Sequence, residues 1–178
     1  DTADARITLA RIPVVRLRHG QPKALLNGQA SFGETVATIQ KSLEPPHLAI
    51  DLPTKRVLCG GTQVKLPPAL LAWLAWWAQQ TLQQSGPKSW RSADVSAFLD
   101  IYQQVVGIDA TAFENACKRL KDGMEKEFFE QNNSKLEKHL TAQLGLAAGP
   151  YLLETHGQWG QTCRYLALQA GQIDLQMR

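Results

Sequence analysis

The sequence predicts an α+β fold, on three observations. Short runs of alternating apolar and polar residues, bounded by Gly and Pro, open the stretch that begins at His47. Segments with helical spacing of apolar residues then fill about 69–144. A second pair of strand-like runs follows Gly149 and Pro150. Strands grouped ahead of helices, with a hairpin after them, are the pattern of an α+β domain rather than of an alternating parallel sheet.

The elements can be justified in order. Ile7, Leu9, Ile12, Val14, Val15 and Leu17 make a strand-like run over 6–17, and Pro13 inside it suits an edge strand or a bulge. Ser31 caps a predicted helix over 31–43, with Glu34 three residues later and Val36, Ile39 and Leu43 on its apolar face. Residues 1–44 hold too little apolar surface for a core of their own. They read as an extension, the tail of an upstream domain, and residues 45–178 as the main domain. LAIDL is a half-buried strand, Pro53 and Thr54 turn the chain, and 56–59 returns. Gly60 and Gly61 form a tight hairpin turn into a third strand at 63–66. Pro67 and Pro68 end that strand and suit the first turn of a helix over 69–84, whose core side carries Leu70, Leu71, Leu74, Trp77, Ala78 and Leu82. Ser92 caps the next helix, 92–106, which buries Val95, Phe98, Leu99, Tyr102 and Val105 and closes at Gly107. A long helical region follows over 109–144, broken at Gly123. Phe113, Ala116, Cys117 and Leu120 line one half, and Phe128, Leu136, Leu140 and Leu144 the other. Strands at 151–155 and 163–168 form the closing hairpin around a Gly-containing turn.

Composition bounds the function. A chain of 178 residues, 44% hydrophobic and 20% charged, is long enough to bury a core and too apolar for disorder. A net charge of +3 permits nucleic-acid binding without demanding it. Cys59, Cys117 and Cys163 are too far apart for a zinc ribbon and odd in number for a disulfide framework, so free thiols in a reducing cytoplasm are expected. The longest apolar run, 66–78, is too short to span a bilayer, which takes about 20 residues. The chain opens on Asp1, as a piece of a longer protein would.

The quoted stretches carry two resemblances. LAIDLPTKRVLCGGTQVKLPPALLAWL resembles the opening sheet and first helix of the winged helix-turn-helix of OmpR/PhoB-type response regulators. It has the Asp after the first strand, the Arg opening the second, the Gly-Gly turn and Leu-x-Pro before the helix. SKLEKHLTAQLG is similar to the end of that family's recognition helix, and LLETHG with RYLAL to its wing. Over nearly the whole chain, ITLARIPVVRLRHGQPKALLNGQASFGETVATIQ, PPHLAIDL, GGTQVKLPPA, DGMEKEFFEQNNSKLEKHL and the closing RY resemble the C-terminal half of a CRISPR-associated ring nuclease family. That family joins an N-terminal CRISPR-associated Rossmann-fold domain to a C-terminal winged helix. The resemblance implies type III CRISPR antiviral defence, with cyclic oligoadenylate bound by the N-terminal sensor domain, which this chain lacks.

No catalytic residue is expected in this chain on its own. His19, His47, His139 and His156 have no Arg five to seven residues before them, so the Arg–His nuclease motif of CRISPR effectors is absent. Phosphate-loop and nucleophile-elbow motifs are absent too, and no two His fall at i, i+4, so neither a cofactor nor a metal is expected. Asp122, Glu125, Glu127 and Glu130 interleave with Lys121 and Lys126 and read as a solvated face. Arg6, Arg11, Arg16 and Arg18 read as a solvated strand face. For double-stranded DNA the candidate contacts are Lys126, Gln131, Asn132, Asn133, Lys135 and Lys138 on the recognition helix, with Gln161 and Arg164 in the wing. Between 118 and 139, six Lys or Arg face five Asp or Glu, so the charge signal is mixed. Trp73, Trp76 and Trp77 widen the apolar surface of the first helix. Such a cluster is more often core, but with tryptophans on two sides of one helix part of it, at Trp73 and Trp76, is expected to meet a partner, either the sensor domain of the same protein or a second copy in a homodimer. The alternative to DNA contact is therefore a dimerisation or domain-docking module.

Overall fold

The structure is a computed structural model that describes residues 45–157 and 162–177, and over these the chain is α+β. The strand expected at 6–17, the helix expected at 31–43 and Gln161 lie outside the described residues.

Three short strands, β1 (Leu48–Asp51), β2 (Arg56–Cys59) and β3 (Thr62–Val64), form an antiparallel meander. Asp51 shapes its first turn: the carboxylate accepts the Thr54 N–H at 2.9 Å, and this bond holds its pKa below the ordinary value. Gly60 and Gly61 make the second turn with φ of 54° and 76°, the left-handed pair that a two-residue hairpin requires. The Tyr151 hydroxyl sits beneath this turn. It accepts from the His47 N–H and donates to the His47 carbonyl, both at 3.2 Å, and would lie 3.1 Å from a Cβ on Gly60.

Helix α1 (Pro68–Leu82) follows directly, with proline in its first turn. Leu70, Leu71, Trp73, Leu74, Trp76 and Trp77 are all buried, and the intervening Ala72, Ala75 and Ala78 are buried too. A helix apolar on every side must be covered on every side. α1 accordingly touches α2 (Val95–Val106), α4 (Lys126–Leu144), β5 (Cys163–Leu166) and β6 (Ile173–Gln176). Leu82, expected to face the core, is 37% exposed because it closes the last turn, where the covering elements end.

The remaining helices refine the expected ones. α2 starts at Val95, capped by Asp94 rather than Ser92: Asp94 accepts the Ala97 N–H at 3.2 Å, while the Ser92 hydroxyl accepts the Ser89 N–H one turn earlier. The region from 109 to 144 divides into α3 (Thr111–Arg119) and α4, with Gly123 at φ 116° in the turn between them. Phe129, not Phe128, is the fully buried member of its pair; Phe128 packs part-buried under the Arg119 guanidinium. A 3-10 segment, Gly145–Tyr151, occupies the start of the expected strand, so β4 begins later, at Leu153–His156. It pairs antiparallel with β5, and Arg164 of β5 bridges on its other side to Lys88 through paired backbone hydrogen bonds of 2.7 and 2.8 Å.

One strand was not expected. After a 3-10 turn (Ala170–Gln172), β6 returns to the first sheet and pairs parallel with β1, giving the order β3-β2-β1-β6. The Leu52 N–H donates to the Gln176 carbonyl at 3.1 Å and extends this ladder. The four-stranded sheet thus covers α1 with β6, and the hairpin covers it with β5.

Candidate functional site

Helix α4 carries most of the residues that the sequence nominates, and its nineteen residues span about 28 Å. Its inner face is Phe129, Asn133, Leu136 and Leu140, at i, i+4, i+7 and i+11. A flank carries Glu130 and Glu137. The outer face carries Glu127, Gln131, Ser134, Lys135, Lys138 and Thr141, all exposed.

Asn133 is no nucleic-acid contact. It is 0% exposed, and its Oδ1 accepts the indole N–H of Trp73 at 2.9 Å and that of Trp77 at 3.3 Å. One amide oxygen with two lone pairs thereby satisfies two buried donors. The three tryptophans close around it: Trp73 stacks on Trp76 with centroids 5.1 Å apart and meets Phe98, Phe128 and Phe129 edge-on. Trp73 and Trp76 are both 0% exposed, so the partner surface expected there does not exist; α1 is buried on the sides these rings occupy.

Arg164 also has an internal role. Its Nη2 reaches Glu130 Oε2 at 3.0 Å and its Nη1 reaches Glu137 Oε1 at 3.3 Å, so it spans two turns of α4 and ties β5 to the helix. Its side chain is 21% exposed, and the two carboxylates offset the charge of this guanidinium. Asn132 is half-buried, and its amide donates to the Phe128 carbonyl of the preceding turn at 2.8 Å. Gln131 donates to Glu127 at 2.8 Å on the open face.

Lys126, Lys135 and Lys138 stand apart from these. All three are exposed, and none forms an ion pair among the described residues. The nearby acids are largely engaged: Glu125 by Arg119 at 2.8 Å, Glu130 and Glu137 by Arg164. The mixed charge of the sequence is therefore sorted in space: Lys135, Lys138 and Glu127 lie on the outer face of α4, while Lys126, one turn before Glu130, lies on the flank that Glu130 and Glu137 share. The far end of the helix is held in place by Gln143, whose amide accepts from the Lys65 N–H and donates to the Lys65 carbonyl, each at 2.8 Å.

The Cys59 thiol is 3% exposed, and burial pushes its pKa up to about 12, which keeps it protonated and unreactive. His47, just before β1, and Asp174 of β6 lie 3.1 Å apart, both exposed. Among the described residues no three His, Cys, Asp or Glu side chains gather as a metal site, and no helix is long and apolar enough to cross a membrane. Sequence reasoning missed Trp90 and Arg91, which border the same side of the molecule as the start of α4. Their only signal was an aromatic-basic pair in the Pro-Lys-Ser-Trp-Arg turn. Comparison with protein-family models, curated proteins and solved structures finds no match to this chain.

Proposed function

We propose that this chain is a winged-helix module that binds duplex DNA through the outer face of α4, without catalysis of its own. The observation that carries the reading is the sorting of charge on α4: Glu130 and Glu137 are drawn to Arg164, and Lys135 and Lys138 stand on the outer face beside Gln131 with no ion pair among the described residues. Phosphate neutralisation by such lysines supplies most of the affinity of a DNA-binding domain, and an amide on the same face is suited to an adenine edge. The order of elements supports the reading: a meander, three helices leading to α4, then a hairpin with a third strand-like bridge at Lys88. An exposed helix flanked by a hairpin is the arrangement with which winged helices enter a major groove.

The motif resemblance quoted above sets the biological context that we propose. In it, this module serves type III CRISPR defence as the C-terminal part of a cytoplasmic sensor whose N-terminal domain binds cyclic oligoadenylate, and transmits the sensor's state to DNA.

The test is fluorescence anisotropy with labelled CRISPR-leader and random duplexes over a salt series. Wild type is expected to bind, with affinity falling steeply as salt rises. The Lys135→Ala, Lys138→Ala double variant is expected to lose about 2 from the slope of log affinity against log salt, as for two phosphate contacts. Absence of binding by wild type at low salt would remove the DNA reading.

A further inference from the structure

A polar cleft of about 640 Å³ opens where residues 89–91, the first turns of α4 and β5 meet. Its walls include Ser89, Trp90, Arg91, Lys126, Glu130 and Arg164. Glu130 and Arg164 are bound to each other at 3.0 Å, so the cations that the cleft offers a ligand are Arg91 and Lys126. Neither forms an ion pair among the described residues.

Arg91 is braced. Its guanidinium carbon lies 4.5 Å from the centroid of the Trp90 ring, and Trp90 packs against the core. The backbone on either side is held too: Lys88 is bridged to Arg164, and the Ser92 hydroxyl accepts the Ser89 N–H at 2.9 Å and donates to the Ser89 carbonyl at 3.3 Å. A planar donor fork fixed on an aromatic platform loses little conformational freedom when it grips an anion, and its geometry matches two phosphate oxygens. Lys126 opposes it from the first turn of α4, the positive end of the helix dipole, where no side chain caps the backbone N–H groups.

We infer that this cleft is a phosphate-binding site for the nucleic-acid backbone, with Arg91 and Lys126 as its ligands. The inference rests on the duplex-binding reading above and adds an anchor off the outer face of α4. Lys126 and Lys138 lie about 18 Å apart along the helix axis, more than the ~12 Å width of the major groove. The cleft therefore holds backbone across the groove from the strand met by Lys138, and sets the angle at which α4 lies in it.

The experiment is a salt series of anisotropy titrations with a fluorescein-labelled duplex of mixed sequence, on wild type, Arg91→Ala, Arg91→Lys, Trp90→Leu and Lys138→Ala. Arg91→Ala is expected to reduce the slope of log affinity against log salt by about 1. Arg91→Lys should recover the slope but not the full affinity, since it restores charge without the fork. Trp90→Leu should weaken binding about as much as Arg91→Lys while keeping the charge. If wild type binds and Arg91→Ala matches it in slope and affinity while Lys138→Ala is weakened, the cleft inference is overturned and the α4 reading stands. If wild type does not bind, both fall.

Discussion

At the scale of single residues, two side chains named for a ligand turn out to hold the molecule together. Asn133 is polar on a helix full of polar residues, and nothing local separates it from Asn132. The separation comes from three-dimensional position: Asn133 lies at the helical repeat of Phe129, Leu136 and Leu140, where two indole N–H groups converge. Asn133→Leu keeps the branched heavy-atom shape of the side chain but strands both donors in an apolar core. It is expected to cost about 2–4 kcal/mol in urea denaturation. Lys135→Ala, two residues along on the open face, should change stability by no more than about 0.5 kcal/mol. Equal stability of Asn133→Leu and wild type would show that the indoles do not depend on the amide. Arg164 teaches the same lesson with charge. Its partners Glu130 and Glu137 are a heptad apart, a spacing visible in the sequence, but the strand that brings Arg164 to them is 27 residues or more downstream.

At the scale of elements, most boundaries were legible because local signals set them. The Gly-Gly turn, the proline-led α1 and the break at Gly123 are determined by backbone conformations that few residues adopt. The cap of α2 was misplaced by two residues because Ser92 and Asp94 are both good caps; Asp94 takes the role, and Ser92 is engaged with Ser89. The hairpin turn offers a contrast within two residues. Gly60 and Gly61 both have positive φ, so alanine at either should cost about 1–2 kcal/mol, but only Gly60 has the Tyr151 hydroxyl within reach of a new Cβ. Gly60→Ala is therefore expected to lower the melting temperature further than Gly61→Ala. Equal shifts would mean that the 3-10 segment carrying Tyr151 yields without cost.

At the scale of the whole molecule, β6 is the element that no local reading supplied. IDLQ is only four residues long, and its alternation of buried Ile173 and part-buried Leu175 is too brief to stand out. It becomes a strand because β1 has a free edge and because α1, apolar on every side, needs cover there. A chain ending at Leu168 should accordingly lose about 3–5 kcal/mol, from the burial of Ile173 and the parallel ladder on β1. Chemical denaturation measures this, and an undiminished midpoint would show that β1 tolerates an open edge. By itself the sequence determined the class of fold, the order of all but one of the described strands and helices, and part of the buried faces of α2 (Phe98, Tyr102, Val105) and α4 (Leu136, Leu140), because turn chemistry and hydrophobic period act within a few residues. Only the tertiary structure decided which polar residues of α4 face inward, which acids Arg164 withdraws from the surface, and that Trp73 and Trp76 are core. Each of those depends on contacts between residues far apart in the chain, and burial and charge pairing are properties of what arrives from elsewhere, not of the neighbours in sequence.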